Sequence, residues 1–368
     1  MKRYKLLNNV LGWVVFVIAA VTYILTLEST ASFWDCGEFI ASGYKLEVGH
    51  PPGNPIFMLT ARFFANFASS PSEVAYMVNL MSGLLSAATI LLLFWTITRL
   101  AQKIVLRDGE TEETMSLGQM IAILGCGLVG ALAYAWSDTF WFSAVEGEVY
   151  AYSSFCTALV FWLILKWESV ADLPYANRYI ILIAYIIGVS IAVHLLNLLC
   201  IPAIVLVYYY RKYKNTDLKG SLIALLVSFV LIVLLLYGLV PGFVEVASWV
   251  ELLFVNVFHL PFNSGVVFYF FLIVGVIAWA IYETYAQRSD KLIKISFLIS
   301  IVLVGIPFIG DGYIIGIVLT AALAYYLFTR KKLAVVAMNT ILLSLFVIFI
   351  GYSSYARSEE RRVGKECR

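Results

Sequence analysis

Charge is what this chain has least of. Asp, Glu, Lys and Arg make up 13 % of its 368 residues, about half the level of a soluble globular domain. With 62 % apolar residues and a mean hydropathy of +0.91, that scarcity makes lipid the expected solvent. A net charge of only +2 lacks the basic footprint of a nucleic-acid binder, so no nucleic-acid partner is expected. Five cysteines are present, none in CxxC spacing, which argues against zinc and redox chemistry. Cys126, Cys156 and Cys200 fall in apolar segments and are expected as small core residues. Cys36 is expected in a loop.

What is abundant is apolar runs of spanning length, each needing about 20 residues at 1.5 Å rise. Lys2, Arg3 and Lys5 precede a run from Val10 to Leu27. That run exceeds the roughly 7–15 residues of a signal-peptide core, so it reads as an uncleaved first helix. Eleven spans are expected, at 8–27, 74–98, 118–137, 149–167, 179–193, 197–210, 220–240, 265–283, 294–309, 313–329 and 333–350. Reading 179–210 as a short hairpin, not one long helix, puts 18 of the 20 Lys and Arg before residue 357 on the N-terminal side. Only Lys45 and Arg62 fall opposite. The positive-inside rule makes the N-terminal side cytoplasmic.

The outer side then collects eleven acids: Glu28, Asp35, Glu38, Glu47, Glu73, Asp138, Glu146, Glu148, Glu245, Glu251 and Asp311. Three outer segments are long enough to carry function. In 28–73, the stretch Ile56–Phe67 is too short to span and suits a helix lying in the interface. The second is the turn Asp138–Glu148, and the third is 241–264, again interfacial in character.

Asp35 and Glu38 are spaced i, i+3, so a helical turn puts both carboxylates on one face, about 5–6 Å apart. An apolar surround raises a carboxylate pKa, and such a group can act as a general base. A hydrated capping pair is the plain alternative. In Gly49-His50-Pro51-Pro52-Gly53, two prolines stiffen the loop that carries His50. Glu146 and Glu148 do not share a helix face at i, i+2, so one of them is expected to point inward. His194 and Asn197 sit at the tip of the short hairpin. All these polar groups project to one membrane face, where they default to functional hypotheses.

The runs WDCGEFIASGYKLEVGHPPGNPIF, AVEGEVYA and GVSIAVHLLN resemble the domain of unknown function 2723 family. That family is described as protein O-mannosyltransferase-like and includes the transmembrane protein 260 type. Its ordered hallmarks are Asp-x-Gly-Glu, His-Pro-Pro-Gly and Glu-x-Tyr-Ala, and all three lie here within residues 35–151. The family is similar to the C-type glycosyltransferases, which implies an all-α polytopic bundle with a catalytic first outer loop. The resemblance further implies transfer of a sugar, mannose being the natural candidate, from a polyprenyl-phosphate donor to a Ser or Thr hydroxyl of an exported protein.

On that basis Asp35 is expected as the general base, with Glu38 beside it. Glu146, Glu148, Tyr150, His194 and Asn197 are expected to bind substrate, and Arg62 or His50 to contact the donor phosphate. A divalent cation (Mg or Mn) on Asp35 and Glu38 is a further expectation. The expected setting is the bacterial inner membrane, as a multi-pass protein with its N-terminus cytoplasmic and its site periplasmic. A lipid-linked-sugar transporter would place its acids mid-span, whereas these cluster at one face; a non-catalytic scaffold of a glycosylation complex needs no paired acids. Residues 357–368 (RSEERRVGKECR) break the charge pattern and resemble translated sequencing-adapter sequence. They are expected to be artefactual, with residues 1–356 the N-terminal membrane part of a longer protein.

Overall fold

In the computed structural model the described residues are 2–51, 53–107, 109–309, 313–330 and 332–355. Pro52, Asp311 and the tail 357–368 lie outside them. The described residues form helices joined by short connections, with no strand among them, as the hydropathy pattern demands. In lipid the backbone must satisfy its own hydrogen bonds, which only helices and closed barrels achieve. Eight helical stretches are long and apolar enough to cross a membrane, and Arg178–Ile191 and Tyr313–Thr329 are shorter apolar helices.

The chain divides into two compact units, one comprising Met1–Cys200 with the chain from Ile348 onward, the other Ile201–Val347. The first contains α1 (Lys2–Leu25), α2 (Cys36–Lys45), α3 (Pro55–Ala65), α4 (Val74–Val105), α5 (Leu117–Ala135), α6 (Asp138–Ala144), α7 (Val149–Val170) and α8 (Arg178–Ile191). The helix α4 is its hub, packing against α1, α5 and α7. Tyr23, Ala87, Ile90, Phe94 and Ala131 are fully or nearly fully buried where α1, α4 and α5 meet. A second apolar cluster joins Cys36, Phe39, Phe57, Met58, Val78, Met81, Val149 and Val193. It seats the α2–α3 pair on α4, α7 and the residues after α8.

Local chemistry fixes that pair. Leu46 takes a left-handed φ of 54° and its N–H caps α2 through the Gly43 and Ser42 carbonyls. Gly53 (φ +94°) and Asn54 (φ 39°) turn the chain into Pro55 at the start of α3, where the missing N–H costs nothing. At the crossing, a Cβ on Gly43 would lie 2.7 Å from Ala61 Cβ, so small residues set the helix separation. The Ile56 N–H then donates to the Ala192 carbonyl at 3.1 Å, tying α3 to the end of α8.

The second unit contains α9 (Ile201–Lys212), α10 (Leu218–Val233), α11 (Val240–Leu252), α12 (Ser264–Ala286), α13 (Asp290–Leu303), α14 (Tyr313–Thr329) and most of α15 (Val335–Tyr352). Two π-helical segments, Leu234–Leu239 and Leu253–Val257, make Leu218–Val257 one continuous helical stretch. Residues 241–257 of the third outer segment are therefore helical. Pro241 and Gly242 lie inside that stretch, in the first turn of α11 directly after the Leu234–Leu239 segment, and the helix continues through them.

The stretch Ile56–Phe67 is two-faced: Phe57 and Met58 are buried against α2 and α4 while Phe63 and Phe67 are exposed. Three expectations need correction. Cys126 is exposed, on the outward side of α5. Cys36 is not in a loop but begins α2, fully buried. Both Glu146 and Glu148 point inward. The single-helix alternative for 179–210 also fails, since α8 ends at Ile191 and His194 sits in the break before Leu195.

Candidate active site

Asp35 is the N-cap residue of α2 but its side chain makes no capping bond, which leaves the carboxylate for other partners. One turn later Glu38 faces back toward the loop that follows α2. The His50 backbone N–H donates to Glu38 Oε1 at 2.6 Å, and His50 Nδ1 lies 3.2 Å from Oε2. His50 Nε2 is 4.0 Å from Asp35 Oδ2. Phe39 packs against the imidazole, with ring centroids 5.5 Å apart, and is itself held by Phe57. Donor atoms of Asp35, Glu38 and His50 all lie within 4.8 Å of one another.

A second strand of chain closes on this group. Glu146-Gly147-Glu148 runs between α6 and α7, and a Cβ on Gly147 would meet Asn79 Oδ1 at 2.9 Å, Val78 Cγ1 at 3.0 Å and Ile40 Cγ1 at 3.2 Å. The Cys36 thiol bonds the Gly147 backbone, and burial pushes that thiol's pKa up. So α2 abuts the Glu146–Glu148 turn directly. Glu146 and Glu148 are only 3 % and 6 % exposed.

Burial is the main reason that Glu148 is pushed up to about 7, with the neighbouring charges of Glu146 and Asp35 adding to it and His50 opposing it. Glu146 is raised as well, again chiefly by burial, with Glu28 adding and a hydrogen bond from Ser32 opposing. Glu146 Oε2 is buried without a hydrogen-bond partner. Two desolvated carboxylates at one membrane-proximal turn hold protons more tightly than exposed acids do.

Tyr150, on the first turn of α7, stacks on His194 at 5.6 Å between centroids, and burial lowers the His194 pKa. Asn197 is buried; its Oδ1 lies 3.5 Å from the Thr157 hydroxyl and its Nδ2 is unpartnered. Arg62 lies elsewhere. Its guanidinium donates to the Tyr44 carbonyl and covers the Tyr44 ring, six residues beyond Glu38 on α2, about 9 Å of helix rise. Sequence reasoning missed Asn79, fully buried on α4. Its amide donates to the Glu28 and Thr30 carbonyls and anchors the start of the loop. The available signal was a lone Asn inside a long apolar run.

Fold and site together define a polytopic helical membrane protein with converging carboxylates and a histidine at one end of its first unit. Residues 35–217, just under half of the chain, match the protein O-mannosyl-transferase TMEM260 N-terminal domain. The chain is 27 % identical over 209 residues to the mouse protein O-mannosyl-transferase TMEM260, a stretch covering 57 % of this chain and 27 % of the mouse protein. It is 23 % identical over 149 residues to the Dictyostelium discoideum protein O-mannosyl-transferase tmem260, covering 40 % of this chain and 16 % of that one. The matched stretches thus span about a quarter or less of these relatives' lengths. No solved structure matches the chain.

Proposed function

We propose that this chain is the membrane part of a glycosyltransferase that moves a sugar from a polyprenyl-phosphate donor to a Ser or Thr hydroxyl of an exported protein. The sugar is mannose by the activity for which the relatives are named. The observation that supports this reading is the meeting of Asp35, Glu38 and His50 within 4.8 Å, against the buried Glu146–Glu148 turn. In this reading the bacterial inner membrane holds the chain with its N-terminus cytoplasmic and the acids outside.

Asp35 takes the proton of the acceptor hydroxyl as that oxygen attacks the anomeric carbon. The sugar–phosphate bond breaks with its electron pair leaving on the phosphate. Positive charge that develops on the ring is stabilised by the surrounding carboxylates. Glu38 fixes the His50 imidazole, which then faces the leaving phosphate as a donor. Glu146, Glu148, Tyr150, His194 and Asn197 line the acceptor side. Two carboxylates and an imidazole form a donor set that a divalent ion of the Mn²⁺ type accepts more readily than Mg²⁺, which prefers oxygen and near-ideal octahedral geometry. In place of that imidazole donor, an ion held by Asp35, Glu38 and His50 would supply charge neutralisation at the phosphate.

A second assignment of the base has its own support: Glu148, held near pH 7, is matched to proton transfer at neutrality. Radiolabelled polyprenyl-phosphate sugars, incubated with the purified chain and an acceptor peptide, separate the two. Asp35→Asn abolishes transfer if Asp35 is the base. If Asp35→Asn keeps most of the activity and Glu148→Gln loses it, the base is Glu148. Transfer by both variants at the wild-type rate would defeat the enzyme reading altogether.

A further inference from the structure

At the other end of the first unit, α1, α4 and α7 enclose a cavity of about 450 Å³ lined by Lys5, Asn8, Trp95, Arg99, Trp162 and Lys166 among others. Twenty residues of α4 separate Arg99 from Asn79 at the carboxylate site, about 30 Å of helix, which matches the hydrocarbon thickness of a bilayer. The two sites therefore sit at opposite membrane faces.

The cavity's charged lining is three cations, Lys5, Arg99 and Lys166, against one acid, Glu112. The balance is 3 − 1 = +2. Glu112 is already 3.8 Å from Lys5 and accepts from Gln102. Glu168 answers Lys103 at 2.5 Å and Arg99 at 3.7 Å. The Lys166 ammonium rests over the Trp162 ring, 4.9 Å from its centroid. Asn8 Oδ1 is buried without a hydrogen-bond partner.

Trp162 and Trp95 lie with centroids 5.9 Å apart, and the Trp95 indole N–H donates to the Asn8 carbonyl at 3.3 Å. Gly12 makes room for that indole: a Cβ there would sit 2.6 Å from Trp95 Nε1. Paired indoles at this depth are what the membrane interface favours. Basic pockets between spanning helices take anionic lipid head groups, and the volume is that of a small-ligand site.

We propose that this cavity binds the phosphate head group of an anionic membrane lipid, with Lys5, Arg99 and Lys166 on the phosphate and the two indoles against the glycerol and upper acyl carbons. The site is independent of the transfer chemistry at the carboxylates. Free inorganic phosphate offers the same anion without the acyl chains, and the two indoles favour the lipid.

Native mass spectrometry of the full chain in detergent tests this, with phosphatidylglycerol, phosphatidylcholine and inorganic phosphate as probes at constant ionic strength. Phosphatidylglycerol is expected to be retained over phosphatidylcholine. Lys166→Gln should weaken retention about fivefold and Lys5→Gln with Lys166→Gln about 25-fold, from roughly 1 kcal/mol per cation. Lys291→Gln, outside the cavity, should leave it unchanged, and circular dichroism confirms that each variant keeps its helix content. Equal retention of both lipids, or undiminished retention by the double variant, would overturn the proposal. Full displacement of phosphatidylglycerol by millimolar inorganic phosphate would assign the cavity to free phosphate instead.

Discussion

The His50 backbone N–H donates to one oxygen of the Glu38 carboxylate at 2.6 Å, while the His50 imidazole approaches the other at 3.2 Å. A single side chain thus fixes both the loop and the ring that it carries. Both partners are about two-fifths exposed, so the pair adds little to global stability. Glu38→Gln is expected to reduce transfer at least tenfold while moving the melting temperature by less than about 2 °C. Radiolabel transfer and calorimetry on the same preparation check it. A large fall in melting temperature would reassign Glu38 to a purely structural role.

His50 and Arg62 make separable predictions. Arg62 is occupied by Tyr44, and His50 sits among the carboxylates. His50→Ala should weaken donor binding by about tenfold, the scale of one charge-assisted hydrogen bond. Arg62→Ala should leave donor affinity within about twofold and instead loosen the α2–α3 pair, seen as faster proteolysis. Filter binding with a labelled polyprenyl-phosphate sugar measures the affinities. Loss of binding in Arg62→Ala with His50→Ala unaffected would exchange the two roles.

Glu148 gives the protein a pH signature. Its carboxyl is raised from 4.5 to about 7, so between those values the folded chain binds more protons than the unfolded one. Its contribution to stability is fully present below about pH 4.5 and is lost as pH rises through 7. On the order of 3 kcal/mol is involved. Glu148→Gln, which cannot ionise, should flatten the decline in melting temperature between pH 5 and 8. A wild-type curve parallel to that of the variant would show that Glu148 titrates as an ordinary acid.

Gly147 tests the packing between α2 and α4. A methyl group there would meet Asn79, Val78 and Ile40 at 2.9–3.2 Å, so Gly147→Ala must shift the turn that carries both glutamates. Overpacking of this kind costs about 1–3 kcal/mol. Transfer should fall further than stability because the carboxylates move with the turn. Gly125→Ala on α5, where nothing lies within 4 Å, serves as the control and should be neutral or slightly stabilising. Equal behaviour of the two variants would refute the close contact.

Hydropathy made the helices legible because each span must satisfy its own backbone in lipid, and apolar runs of that length have few other options. The same logic exposed Asp35, Glu38 and the Glu146–Glu148 pair, since acids near a bilayer are conspicuous. It misplaced Cys126, whose apolar surroundings in sequence are lipid-facing surface in the fold. Along a spanning helix, hydrophobicity marks contact with lipid as readily as contact with protein, so the buried side is not written in it.

By itself the sequence determined a helical membrane protein and the identity of its polar groups, because composition and period set what lipid tolerates. Only the tertiary structure decided which of those groups meet. Asn79 and Gly147 are 68 residues apart in sequence, yet their contact brings Glu148 within electrostatic reach of Asp35 and His50, while Arg62, nearer in sequence, turns away to Tyr44. Long-range packing of small residues sets those distances, and no local pattern in the chain encodes them.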